Sequence, residues 1–115
     1  LKMYIKQNGW YLDWYKINPP KRYNGYIDKI YLSATVNDLR IRAYLKENVQ
    51  YNEKLRKQLE KEIKEISTKL QPQSYYNRKG LKSLYLARFK LKSNANYDDL
   101  IEGMKQLEDI LKKLK

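Results

Sequence analysis

Histidine and cysteine are both missing from this chain of 115 residues. Their absence excludes a disulfide framework, thiolate or imidazole zinc sites, a cysteine nucleophile and a histidine general base. Carboxylates are the only strong metal ligands left. Glycine occurs four times and proline three, and the glycines are scattered as turn and breaker residues, so neither a Walker-type phosphate loop nor a dinucleotide glycine pattern is present. The glycine-and-aromatic signature of RNA-recognition motifs is missing as well. No apolar run approaches the roughly 18 residues that a membrane helix needs, and no signal-peptide core precedes a small-residue cleavage site. We therefore expect a soluble, cytoplasmic chain without cofactor, metal or integral membrane contact. Acidic residues are also in short supply, 13 against 25 Lys and Arg, for a net charge of +12.

A length of 115 residues fits one domain, and 42% hydrophobic content suffices for a core. The chain begins with Leu1, which we read as a processed chain, an excised fragment or the C-terminal part of something larger. Met3 to Gln7 and Trp10 to Ile17 are β-rich runs flanking Asn8-Gly9, a type I′ hairpin signal. In the second run Trp10 and Trp14 share one face and Tyr11 and Tyr15 the other. Pro19-Pro20 ends that strand, and Lys21 to Gly25 reads as an exposed basic loop. A third strand is expected at Tyr26 to Val36, joined through Asn37-Asp38 to a fourth at Leu39 to Lys46. There the period of two separates Leu39, Ile41, Ala43 and Leu45 from Arg40, Arg42, Tyr44 and Lys46.

From Tyr51 to Leu70 the apolar spacing changes to three and four, which predicts an amphipathic helix laced by Glu53/Lys57, Glu60/Lys64 and Glu65/Lys69 pairs. Gln71-Pro72 stops it. A basic loop at Gln73 to Lys82 leads to a fifth strand at Ser83 to Lys92, where Tyr85, Ala87, Phe89 and Leu91 alternate with Arg88, Lys90 and Lys92. A last helix follows, with Asn96 as its N-cap, Asp98 and Asp99 in its first turn, and a stripe of Leu100, Met104, Leu107, Leu111 and Leu114. The expected fold is α+β, an antiparallel sheet of about five strands in the order β-β-β-β-α-β-α, with both helices on one face.

Charge is concentrated in residues 72–96, which hold Arg78, Lys79, Lys82, Arg88, Lys90 and Lys92 and no carboxylate. Tyr75, Tyr76, Tyr85 and Phe89 are interleaved with them. Guanidinium forks suit phosphate and tyrosine rings suit exposed bases. The candidate nucleic-acid contacts are Arg40, Arg42, Tyr44 and Lys46 on the fourth strand, Tyr75, Tyr76, Arg78, Lys79 and Lys82 in the loop, and Arg88, Lys90 and Lys92 on the fifth. Solvated surface is the plain reading of any one of them; a long cationic stretch free of acids favours a functional patch. The alternative partner is an acidic protein docked on the same basic face. No catalytic residue is assigned: the helical carboxylates have lysine partners, Asp98-Asp99 is explained by capping, and Glu62-Ile63-Lys64 lacks an upstream acidic strand residue to complete a nuclease site.

The order of a basic strand at Leu39 to Lys46, a helix opening at Asn52-Glu53 and running through Lys61-Glu62-Ile63, a strand and a closing amphipathic helix resembles uncharacterised C-terminal domains attached to restriction-endonuclease-like proteins. The likeness spans about residues 26–115; Tyr75-Tyr76 and Leu107 stand where such domains often carry tryptophan. It implies a noncatalytic, DNA-associated module of a prokaryotic defence or mobile-element protein. It transfers no functional residue.

Overall fold

A computed structural model describes residues 12–35, 38–66, 71–72, 82–90 and 96–114. Four strands of six to eight residues, β1 (Leu12–Ile17), β2 (Ile27–Ala34), β3 (Asp38–Leu45) and β5 (Ser83–Lys90), are joined by a two-residue β4 (Gln71–Pro72). All pair antiparallel in the order β1-β2-β3-β5-β4. Helices α1 (Glu53–Ile66) and α2 (Tyr97–Lys113) complete an α+β architecture with both helices on one sheet face. The first expected strand, Met3 to Gln7, and its Asn8-Gly9 turn lie outside the described residues. Gln71-Pro72, expected only to stop a helix, also pairs with Arg88 and Ala87 of β5.

The alternation of β3 survives intact: Leu39, Ile41, Ala43 and Leu45 are buried against the helices. Opposite them in the core lie Leu55, Leu59 and Ile63 of α1 and Leu107, Ile110 and Leu111 of α2. Burying each such side chain contributes roughly 1.5–3 kcal/mol, which makes this stripe-on-face contact the main source of stability. Gly103 sets the depth of α2. A Cβ there would lie 3.0 Å from Leu39 Cδ1 and 3.4 Å from Phe89 Cε1, so this glycine provides close approach and is neither a turn nor a breaker.

Bulges change which residues share a face. In β5 the register passes from Ile41↔Ala87 to Arg42↔Tyr85, leaving Leu86 as the extra residue. Leu84 and Leu86 consequently fill the core, and Tyr85, expected beneath the helices, stands on the opposite face beside Arg42. A second bulge between Asp13 and Tyr15 absorbs Trp14. Trp14 and Tyr15 then both pack against the core, contrary to the expected split, and Trp14 Nε1 donates to Glu108 Oε1 at 3.0 Å.

Local chemistry fixes the ends. Asn52 Oδ1 caps α1 by accepting from the amides of Lys54 and Leu55 at 3.0 and 3.2 Å. Asn96 and Asp99 form a reciprocal capping box at the start of α2. The expected loop after Pro20 is a 3₁₀ turn, Lys21–Tyr23. Lys21 and Arg22 are exposed there, whereas Tyr23 is only 2% exposed. Its hydroxyl donates to Glu62 Oε2 at 2.7 Å, tying the β1–β2 connection to α1. On α1 the pair Glu60/Lys64 forms at 3.6 Å, while Glu53 and Glu60 both bind Arg56, each at 2.5 Å. Arg56 is a buried cation on the flank of the apolar stripe. Among the described residues no helix is long and apolar enough to cross a membrane.

Candidate nucleic-acid interface

The face turned away from the helices is assembled by strand register. Antiparallel pairing sets Tyr31 opposite Arg42 and Ser33 opposite Arg40 across β2 and β3, then Arg40 opposite Arg88 and Arg42 opposite Tyr85 across β3 and β5. On the outer pair Asp13 faces Ser33 and Lys16 faces Tyr31. Lys29, opposite Tyr44, completes a surface where Lys16, Lys29, Arg40, Arg42 and Arg88 outnumber the carboxylates Asp13 and Asp38. The tyrosines Tyr31, Tyr44 and Tyr85 stand among them.

Arg42 organises this surface. Its Nε donates to Ser33 Oγ at 3.0 Å, its Nη2 to Asp13 Oδ1 at 2.8 Å, and its Nη1 to the Tyr44 hydroxyl at 3.4 Å. Ser33 Oγ donates in turn to Asp13 Oδ1. The guanidinium carbon lies 5.4 Å from the ring centre of Tyr44 and 6.0 Å from that of Tyr85, within cation–π range. Tyr44 also meets Tyr31 edge to face, with ring centres 5.0 Å apart. Burial pushes the Arg42 guanidinium down, but Tyr44, Asp13 and Tyr85 outweigh burial and raise it, so the charge is retained. With 5% exposure, Arg42 acts as the frame of the face and offers little area of its own.

Arg40 and Arg88 are differently placed. Like charges directly opposite on neighbouring strands repel, and here the buried carboxylate of Asp38 sits between them. Asp38 Oδ1 accepts from Arg40 Nε at 2.8 Å, and Oδ2 lies 4.0 Å from Arg88 Nη1. Thr35 holds the carboxylate in place, donating from Oγ1 to Asp38 Oδ1 at 2.7 Å. The Arg88 side chain is 29% exposed, and its Nε is buried with no hydrogen-bond partner.

The other sequence candidates are spread around this centre. Tyr44 is half-buried on β3, and Lys46, immediately after it, is exposed. Lys82 donates from Nζ to the Val49 carbonyl at 2.8 Å, and its own carbonyl accepts from the Leu45 amide at 2.9 Å, so it helps close the end of the sheet. Lys90 occupies the register position opposite Asp38. Tyr75, Tyr76, Arg78, Lys79 and Lys92 lie outside the described residues.

Sequence reasoning missed Asp13, Lys16, Lys29, Tyr31, Ser33 and Asp38. The available signal was the short β2–β3 connection, since a tight hairpin fixes register and would have set Tyr31 and Ser33 beside Arg42 and Arg40. Among the described residues no cluster of three or more carboxylates could hold a metal ion. Beside β1 the same face opens into a cleft of about 290 Å³ lined by Asp13, Trp14, Tyr15, Lys16 and Tyr31. Comparison with known proteins finds no matching family model, no matching curated protein and no matching solved structure.

Proposed function

We propose that the chain is a noncatalytic nucleic-acid-binding domain that uses the sheet face turned away from α1 and α2 for phosphate-directed contact. The observation that carries this reading is the opposed pair Arg40 and Arg88, which shares the Asp38 carboxylate unevenly and leaves the part-exposed Arg88 guanidinium 4.0 Å from its carboxylate partner. A phosphate oxygen supplies the missing negative charge and accepts from a guanidinium fork in a geometry suited to it. The net charge of +12 adds long-range attraction for a polyanion. An acidic protein would satisfy the charges equally well. The tyrosines placed among them favour nucleic acid, because every base presents a π-face to a ring.

Fluorescence anisotropy of labelled oligonucleotides against the native chain and Arg88→Gln tests the proposal. Binding that weakens at least several-fold in the variant, with the melting curve preserved, supports it. Equal binding by both chains removes Arg88 from the interface and with it the argument for phosphate.

A further inference from the structure

The cleft beside β1 has features that phosphate binding does not use. Lys16 and Tyr31 line it from directly paired positions, so an aromatic ring and a cation stand side by side. Asp13, also in the lining, has one carboxylate oxygen fixed from two sides, since Oδ1 accepts from Arg42 Nη2 at 2.8 Å and from Ser33 Oγ. Its Oδ2 has no hydrogen bond among the described residues, and the side chain is 42% exposed. An acceptor oriented by two bonds and open at its second oxygen is ready for an incoming N–H donor. The neighbouring Arg42 balances its charge, which lowers the cost of bringing a phosphate chain past a carboxylate. A volume of about 290 Å³ lies just below the usual range of ligand sites, roughly 300–1,000 Å³, and so suits a group as small as one base better than a larger ligand.

Resting on the nucleic-acid reading above, we infer that this cleft seats a single unstacked base of a single-stranded nucleic acid. Tyr31 provides the stacking surface, Asp13 Oδ2 accepts from an exocyclic amine of the base, and Lys16 meets the adjoining phosphate. A paired base has its faces covered by stacked neighbours and cannot lie on the Tyr31 ring, so duplex is excluded from the cleft. Adenine, cytosine and guanine offer an exocyclic amine. Uracil and thymine have no exocyclic amine, and their single ring donor, N3–H, lies between two carbonyl oxygens that a carboxylate repels. The ligand class is thus single-stranded DNA or RNA containing amine-bearing bases, with uracil- or thymine-only strands disfavoured.

The test uses eight-nucleotide oligo-A, oligo-C, oligo-U and oligo-dT strands and a hairpin duplex, titrated against the native chain, Asp13→Asn and Tyr31→Leu at one fixed low salt concentration. The native chain should bind oligo-A and oligo-C about tenfold more tightly than oligo-U or oligo-dT, the weight of one charge-assisted hydrogen bond. Asp13→Asn should level that preference. Tyr31→Leu should weaken all single strands by about tenfold through lost stacking and weaken duplex by less, since a stacked duplex offers this ring no open base face. Should Asp13→Asn fail to fold, the Tyr31→Leu comparison of single strand with duplex decides alone. Equal binding of single strand and duplex that persists in Tyr31→Leu overturns the cleft assignment and leaves the phosphate reading standing. No binding to any strand, single or double, overturns both.

Discussion

Arg40 and Arg88 stand directly opposite each other on β3 and β5, and Asp38 between them binds Arg40 at 2.8 Å while remaining 4.0 Å from Arg88. The fold thus keeps two like charges together with a carboxylate that neutralises one more fully than the other. Asp38 has opposite effects on stability and on anion affinity. Asp38→Asn removes the buried negative charge beside Arg40 and should lower unfolding free energy by about 3 kcal/mol, the lower end of the range for breaking a buried pair. The folded fraction of that variant should bind a phosphate chain more tightly, because a negative charge has left the face. Urea denaturation and oligonucleotide anisotropy on the same preparation check both signs.

Gly103 tests the packing of α2. Alanine gains about 1 kcal/mol of helix propensity over glycine, but its Cβ would press on Leu39 Cδ1 from 3.0 Å in a core where Leu39 is fully buried. Overpacking costs typically 1–3 kcal/mol, so Gly103→Ala should be destabilising by about 1 kcal/mol and Gly103→Val by more. A chemical melt that shows Gly103→Ala to be stabilising would mean α2 rides higher on the sheet.

Burial, reinforced by the hydrogen bond to Glu62, pushes the Tyr23 hydroxyl up to about 12 from an ordinary 10.0. Its folded value is raised, so its contribution is complete below pH 10 and is lost as pH rises toward 12. Native stability should therefore fall across that window, and Tyr23→Phe should flatten the decline. On the acid side the hydrogen bonds from Arg56 and then Tyr51 hold the Glu53 carboxyl down near 2 from 4.5. That contribution is present above 4.5 and is lost as pH falls toward 2. Burial alone would raise Glu62, yet its bonds from Arg22 and Tyr23 outweigh burial and lower it, adding to the same acid loss. Thermal melts from pH 2 to 12 check both limbs, with Glu53→Gln expected to reduce the acid dependence.

Trp14 anchors β1 to α2. Trp14→Phe keeps most of the apolar area and removes the indole N–H that reaches Glu108 at 3.0 Å. A hydrogen bond to a charged group contributes about 1.5–3 kcal/mol, with partial exposure favouring the lower figure. The variant should unfold at lower urea with an unchanged slope, and Glu108→Gln should reproduce part of the loss.

The fold was largely readable because β3 and the two helices carry clean periods, and residues such as Leu39, Ile41, Leu59 and Leu107 occupy the core that those periods assign. The pairing of β3 with β5, which sets Arg40 beside Arg88, has no signal in the local periods. Tyr85 escaped because Leu84, Tyr85 and Leu86 are all apolar, so either phase of alternation fits and only the bulge selects one. Asp38 followed Asn37 and looked like turn chemistry, which concealed its burial between arginines. Arg56 and Gly103 escaped for a different reason, as their roles depend on neighbours contributed by other parts of the structure and leave no local pattern. Asp13 and Tyr31 belong to the same class, since only the assembled sheet brings them to Arg42.

Nucleic-acid binding by this face, as proposed above, rests on contacts to phosphate. The direct measurement is the affinity for a single-stranded oligonucleotide across a salt series, for the native chain and Arg88→Gln. Each phosphate contact contributes about 0.7 to the slope of log affinity against log salt for single strands. The native chain should show a steep negative slope, and Arg88→Gln a slope shallower by about 0.7. A native affinity that does not change with salt would contradict phosphate contact.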